Sequence, residues 1–521
     1  MGPKRIAVVG SGVSGLGAVW ALKTTPYEVH LYEAADRLGG HTNTVVFKHN
    51  GLETPVDTGF IVLNTATYPN FIRFLKQEGI ETIPSEMTFG VTRDEGRFEW
   101  SGTSLSAIFA QRSNLLRPSF WRMIFDVVRF NYFALDLLRQ EADLVGLGRE
   151  DDVQLASLRE WSIGEYLERE GYSTSFRDDY LLPMTACVWS TGPEKCALEF
   201  PVLTLVRFLW NHHLLNTISE RPPWLTIRGC SREYITAIMK GVPGERVHVS
   251  AEVKSVRNNA VGKVVLCLDD KEEIFDNVIL ACHGDQALNL IFSSATTAEK
   301  EILGKFKTTR NVAYLHSDNT FMPRRRVAWS AWNYTTNSSD NSASGSNMQA
   351  KSVESVSLTY NMNILQSIPT SKYGDILVTL NPLRKPNPKL TQGMYPYRHP
   401  LYNHEAVRAQ DALRTIQENR GISYAGAWTG YGFHEDGFIS GLRAATQLGA
   451  KLPWELVDNK CLRGKRPETS PKDVRVRVII LLFFFALRLG DLAWFIATLP
   501  LRVLSLLWSM TTSPLRKGKL A

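Results

Sequence analysis

The chain opens on an apolar run, Lys4–Val9, that reads as a buried strand. It passes through glycines into Ser14–Lys23, whose apolar spacing reads as a helix. Glu28–Glu33 reads as a second strand, and this strand–turn–helix–strand order predicts a parallel sheet. Residues 100–240 are mostly helical in pattern, with an aromatic-rich stretch, Phe120–Leu138, at helical spacing. Arg246–Val256 and Val261–Leu268 read as strands, and Asp276–Ala281 carries the unbroken apolar run of a strand covered on both faces. Val327–Asn333 and Val353–Asn361 read as two strands around a Ser/Asn-rich segment, Asn333–Lys351, expected to be a long mobile hairpin loop. Residues 421–450 return to Gly-rich sequence followed by a helix. Beyond Pro467 and Pro471 come two apolar runs, Val478–Leu487 and Leu492–Leu501, with Arg488 and Asp491 between them.

The 521 residues, 44% hydrophobic and 21% charged, suffice for two packed domains. The net charge of +7 is unevenly placed. Residues 460–521 hold twelve Lys/Arg against three Asp/Glu, which leaves the body near neutral. That argues against nucleic acid as a partner. A basic tail around apolar runs points instead to an anionic membrane surface. Each run is ten residues where a spanning helix needs about twenty, so the segment reads as an interfacial anchor or, alternatively, a tilted or hairpin insertion; attachment to one face of the membrane is the preferred expectation, helped by Arg475, Arg477, Arg516, Lys517 and Lys519. The six cysteines, Cys187, Cys196, Cys230, Cys267, Cys282 and Cys461, show no C-x-x-C or metal-ligand spacing, and no secretory leader pattern precedes the first strand. The body is therefore expected to face a reducing cytosol, with the sequons at Asn333 and Asn337 unused. His212-His213 has no acidic or Cys partner at ligand spacing, so no metal is expected.

The chemistry begins at Gly10-Ser-Gly12-Val-Ser14-Gly15, a G-x-G-x-x-G that follows a strand and opens a helix. Gly10 allows a tight turn, Gly12 lets backbone approach a pyrophosphate, and Gly15 lets the helix pack on the strand. The helix start offers N–H groups and partial positive charge to phosphates. Glu33, at the end of the second strand, is placed to accept hydrogen bonds from ribose hydroxyls.

The next stretch, Glu33-Ala-Ala-Asp-Arg37-Leu-Gly39-Gly40, resembles the E-x-x-x-R-x-G-G signature of the flavoprotein group that includes flavin amine oxidases and phytoene desaturases. The resemblance implies FAD bound in extended form, with Arg37, Gly39 and Gly40 continuing along its diphosphate. Ile227–Tyr234, Val247–Val256 and Ala425–Gly441 resemble later segments of the same group in the same order, so the likeness spans about residues 5–450. It implies a backbone contact from Val253 to the adenine. It also implies that Gly426, Asp436, Gly437 and Phe438 lie at the flavin, with N–H groups of a helix start facing the pyrimidine edge.

The resemblance implies an α/β architecture with a Rossmann-type FAD-binding domain and an inserted α+β substrate domain, to which the apolar runs beyond it add a C-terminal hydrophobic membrane segment. The FAD-binding parts are expected at 1–85, 225–290 and 421–455, the substrate parts at 86–224 and 291–420, and a basic membrane-associated tail at 456–521. Flavin amine oxidases carry a Lys near the flavin where this chain has Asn311, beside Arg310. Of their two cage aromatics, one position matches Phe438 and the other Trp428 or its neighbour. His434, Glu435 and Asp436 are expected beside the isoalloxazine. His434 is expected either to assist proton transfer with a near-neutral pKa or to orient the loop through hydrogen bonds. His41-Thr-Asn-Thr, Asp57–Asn64, Met322–Arg326, Trp329–Tyr334 and Gly430–Gly437 are similar to a branch of predicted NAD/FAD-binding proteins found beside, or fused to, cyclopropane-fatty-acid-synthase-like methyltransferases. That likeness implies a lipid or other apolar substrate and a lipid-modifying methyltransferase as partner. Arg324–Arg326 reads as a solvated turn or, alternatively, as a carboxylate site. The aromatics of 120–138 and 200–214 read as core or, alternatively, as the lining of an apolar channel.

Overall fold

A computed structural model describes residues 2–149, 152–189, 198–215, 222–338, 353–458, 462–486 and 489. Arg5–Val9 lies inside a five-stranded sheet, ordered Val247–His248, Glu28–Tyr32, Arg5–Val9, Asn277–Leu280, Ile422–Tyr424, with every neighbouring pair parallel. Ile6, Ala7 and Val8 are fully buried because helices cover both faces. The helix Val13–Leu22 is apolar all round and nine of its ten residues are buried, since it lies between this sheet and the last helix of the body, His434–Gln447. Small residues set that contact: a Cβ on Gly441 would lie 1.9 Å from the Ser14 carbonyl oxygen. Sheet strands thus come from residues 5–32, 247–280 and 422–424, far apart in sequence.

A second sheet of seven strands runs Thr391–Leu401, Lys307–His316, Leu377–Leu380, Val353–Asn361, Trp332–Ser338, Phe89–Arg93, Phe98–Ser101. All its neighbours are antiparallel except Trp332–Ser338 with Phe89–Arg93. Helices Pro118–Phe133, Leu135–Gly146, Val153–Glu160, Ile163–Arg169, Leu182–Trp189 and Val202–Asn211 share their own core, built on Phe130, Leu138, Phe176 and Phe208.

The aromatic stretch 120–138 is helical as its spacing predicts, divided between two helices that meet at Ala134. Several expectations shift. Arg246–Val256 is two short strands, because 249–254 leave the sheet to border the cavity described below. Val327–Asn333 is not a strand: Arg326–Ala328 is a 3-10 turn and pairing starts at Trp332. Trp332–Ser338 and Val353–Asn361 do form the hairpin pair, while the loop between them lies outside the described residues. Asn333 is buried, donating to the carbonyls of Ser330 and Thr359, which leaves no room for a glycan.

Residues 471–486 form a helix lying along Pro118–Phe133. Phe483 packs on Phe125 at 5.0 Å between centroids, Arg129 sits over Phe484 at 4.3 Å, and Arg477 bonds the Asp136 carboxylate. Its outer side exposes Ile479, Leu482 and Phe485. Among the described residues no helix is long and apolar enough to cross a membrane. The membrane segment expected at the C-terminus is not supported by the described residues, and Leu492–Leu501 lies outside them.

Candidate active site

A cavity of about 1180 Å³ runs from the carboxyl ends of the parallel strands to the inner face of the seven-stranded sheet. Gly10, Gly12, Ser14, Glu33, Arg37, Gly39, Gly40, Val253 and Gly426 line one part of it. The glycines divide the work as their spacing predicts. A Cβ on Gly10, at φ +102°, would lie 2.6 Å from the Ala281 carbonyl oxygen. On Gly15 it would lie 1.9 Å from the Gly10 carbonyl oxygen, so Gly15 serves packing and does not line the cavity. On Gly12 it would meet nothing within 4 Å: the helix start faces open space.

Glu33 is held by its own loop. Its Oε2 accepts from the Ser11 amide at 2.9 Å and the Ser11 hydroxyl, and its Oε1 from the Ala35 amide at 2.9 Å. Arg37 donates to the carbonyls of Gly40 and Thr42 at 2.8 and 3.2 Å, fixing the turn that Gly39 and Gly40 make at positive φ. Open space over helix N–H groups, a carboxylate at the strand end and a guanidinium at the loop are together the donor set for a diphosphate dinucleotide with a ribose.

Beyond this part, Ile61, Val62, Met87, Trp189, Phe208 and Phe433 form apolar and aromatic walls, and His41, His283, Arg310, Asn311, Arg398 and His399 add polar groups to the lining. The lining carboxylates among the described residues, Glu33 and Glu252, stand at the dinucleotide part. Asn311 is buried and lines the cavity. Its Oδ1 accepts from Asn381 at 2.6 Å and its amide nitrogen meets Nδ1 of His399. His41 stacks on Tyr397 at 5.0 Å and stands edge-on to His399 at 5.1 Å.

The loop Ala425–Asp436 places its residues differently from expectation. His434 lines the cavity, stacked on Phe60 at 3.6 Å, with Nε2 at 3.0 Å from the Tyr234 hydroxyl. Burial takes its pKa down to about 3, so the ring is neutral and does not titrate near pH 7 as proton transfer was expected to require. Glu435 does not face the flavin part. It turns to the helix Pro69–Gln77 and accepts from the amides of Asn70 and Phe71 at 2.8 and 2.9 Å, with burial raising its pKa to about 7. Asp436 accepts from the Phe433 amide at 2.8 Å, capping its own helix, and neither it nor Gly437 is among the lining residues. Phe438 is not a cage wall. It is fully buried between the two helices, on the far side from the cavity, against Phe71, Phe74 and Gly17. A helix residue four places after His434 returns to nearly the same face, but the close approach of Gly17 draws the ring into the core. Trp428 lines the cavity edge with its indole N–H donating to the Cys282 carbonyl at 2.8 Å.

Sequence reasoning did not single out His283, Tyr397, His399, Trp189 or Phe433, all of which line the cavity. A signal existed for some: Tyr395, Tyr397 and His399 alternate along the strand Thr391–Leu401 and so share one face. His212 lines the cavity with Nδ1 at the Phe208 carbonyl. Among the described residues no His, Cys, Asp and Glu cluster suited to a metal occurs. Of the arginine run, Arg324 and Arg326 are solvated while Arg325 pairs with the buried Glu99 at 2.7 Å.

The profile of the flavin containing amine oxidoreductase family matches residues 13–362. The chain belongs to this family. A flavin amine oxidoreductase of this kind is an FAD-dependent oxidoreductase, and the cradle around Gly12 fits that cofactor. In sequence, 42 residues are 50% identical to an L-amino acid oxidase of Cerastes cerastes and 48% identical to one of Pseudechis australis, so the chain spans 8% of the length of each. In structure, the fold is similar to putrescine oxidase bound to putrescine (TM-score 0.59, 15% identity, 86% of this chain and 99% of that one). It is also similar to a CLA-producing fatty acid isomerase from P. acnes (TM-score 0.53, 13% identity, 86% and 99%).

Proposed function

We propose that this flavin amine oxidoreductase family member dehydrogenates or desaturates a lipid or other apolar substrate rather than an amine. One observation carries the reading: beyond the dinucleotide cradle the cavity is walled by Ile61, Val62, Met87, Trp189, Phe208 and Phe433, with no lining carboxylate among the described residues to hold an ammonium group. Burying an unpaired cation against such walls costs several kcal/mol, whereas an acyl chain gains about 0.8 kcal/mol per CH₂. Asn311, where related amine oxidases have Lys, and the displaced Phe438 point the same way. The structural likeness to a fatty acid isomerase fits this reading.

Bound FAD supplies a two-electron acceptor. The chain's own residues bind and orient. Gly12 and the helix start would hold the diphosphate and Glu33 the ribose, and the aromatic walls would exclude water and align the chain of the substrate. His434, neutral and stacked on Phe60, fixes the loop through Tyr234.

Membrane attachment belongs to the same proposal. The exposed face of the helix 471–486, with the basic residues around it, suits an anionic bilayer from which an apolar substrate is drawn. A lipid-modifying methyltransferase is the proposed partner, acting on the same class of acyl chain. The test is anaerobic bleaching of the flavin by a panel of acyl lipids and amines. Bleaching by acyl lipids supports the proposal; bleaching by amines without reaction of lipids refutes it. Flotation of full-length and 1–470 protein with anionic vesicles tests attachment, and equal flotation of the two rejects it.

A further inference from the structure

The side chain of Asn381 fixes a neighbour, which fixes another. The Val312 backbone N–H donates to Asn381 Oδ1 at 3.0 Å, so the Asn381 amide nitrogen faces the other way. It donates to Asn311 Oδ1 at 2.6 Å, which turns the Asn311 amide nitrogen onto Nδ1 of His399. An amide N–H can only donate, so Nδ1 must accept. The neutral ring then carries its proton on Nε2. Burial, with His283 nearby, lowers the His399 pKa to about 4, which keeps the ring uncharged at neutral pH. The Asn311 bond engages Nδ1, so Nε2 is the ring nitrogen left for the cavity that His399 lines.

We propose that His399 presents a tautomer-locked Nε2–H to the cavity as a donor for an acceptor oxygen of the bound ligand, with Asn311 and Asn381 as positioning residues. This deepens the reading of an apolar, non-amine substrate, because a fixed donor receives a carbonyl or carboxylate oxygen and opposes an ammonium group, which has only donors. The acceptor oxygen comes either from the substrate or from FAD itself, and the two are separable.

The experiment uses FAD-loaded protein with ¹⁵N-labelled histidine. The expected His399 signal is the Nε2–H tautomer. In Asn311→Asp the direction of the bond reverses, and the ring becomes the Nδ1–H tautomer or the cation. Decanoate and decylamine are then titrated into the holoprotein. A decanoate-dependent shift of the Nε2 signal, with at least tenfold weaker decanoate binding in His399→Phe, assigns the oxygen to the substrate. An Nε2–H signal already hydrogen-bonded and insensitive to decanoate, with about tenfold weaker FAD retention in His399→Phe, assigns it to the cofactor. An Nδ1–H or charged ring in the wild type, or neither response, overturns the proposal. The tautomer measurement needs no substrate, so failure of every acyl lipid to bleach the flavin would sink the apolar reading and leave this one standing.

Discussion

Replacing Gly12 with Ala separates cofactor binding from folding. Gly12 has φ −61° and ψ 177°, a conformation open to any residue, and its added Cβ meets nothing within 4 Å. Folding should therefore be unharmed, and the lower entropy of the unfolded chain even favours the variant by about 0.4–1 kcal/mol. The methyl group instead stands in the space over the helix start, where backbone approaches the FAD diphosphate. Displacing one charge-assisted hydrogen bond costs about 1.5–3 kcal/mol, which is about one to two orders of magnitude in FAD affinity. Gly15→Ala is the contrasting control. Its Cβ would sit 1.9 Å from the Gly10 carbonyl oxygen, so the strand–helix packing itself must move and soluble yield should collapse. The assay is the ratio of flavin absorbance to protein absorbance in purified material, with thermal melting of the flavin-free forms. Gly12→Ala protein that melts normally but emerges pale supports the reasoning. Stoichiometric FAD of wild-type affinity in that variant refutes it.

Two buried groups of the last helix should respond to pH with opposite signs. His434 has a folded pKa of about 3 against an ordinary 6.5, so its stabilisation is present above pH 6.5 and is lost as pH falls toward 3. Urea unfolding should therefore show wild type losing about 2 kcal/mol relative to His434→Gln between pH 7 and pH 5; parallel curves would contradict it. Glu435, raised to about 7 from 4.5, contributes stability that is complete below pH 4.5 and is lost as pH rises through 7. Wild type should lose about 2 kcal/mol against Glu435→Gln from pH 5 to pH 8 by the same measurement. Phe438→Ala should cost about 3–5 kcal/mol and lower the melting temperature, because the ring is core; a normal melt with a raised KM would restore it as a cage wall. Arg420→Met leaves Glu299, 1% exposed, without its bidentate partner, and should cost about 3–5 kcal/mol in unfolding free energy.

The dinucleotide cradle was legible because its parts are local. Gly10, Gly12, Gly15, Glu33, Arg37, Gly39 and Gly40 lie within thirty-one residues of one another, and turn geometry, close packing and helix-end charge each constrain a residue type at a fixed offset. The parallel sheet followed from the same stretch, since a strand–helix–strand unit closes only one way. The substrate part was not legible in this manner. His41, His283, Asn311, Tyr397 and His399 come from four places between residues 41 and 399, and they meet only because the seven-stranded sheet folds against the parallel one. Likewise, sequence placed His434, Glu435 and Phe438 on one helix start but could not say which would face the cavity. Packing decided it: helix Pro69–Gln77 needed a cap and took Glu435, Gly17 made room for Phe438, and His434 alone remained on the cavity side, stripped of water and of its charge. Offsets along the chain fix backbone shape, whereas which side chain meets a ligand depends on what else is pressed against the same helix.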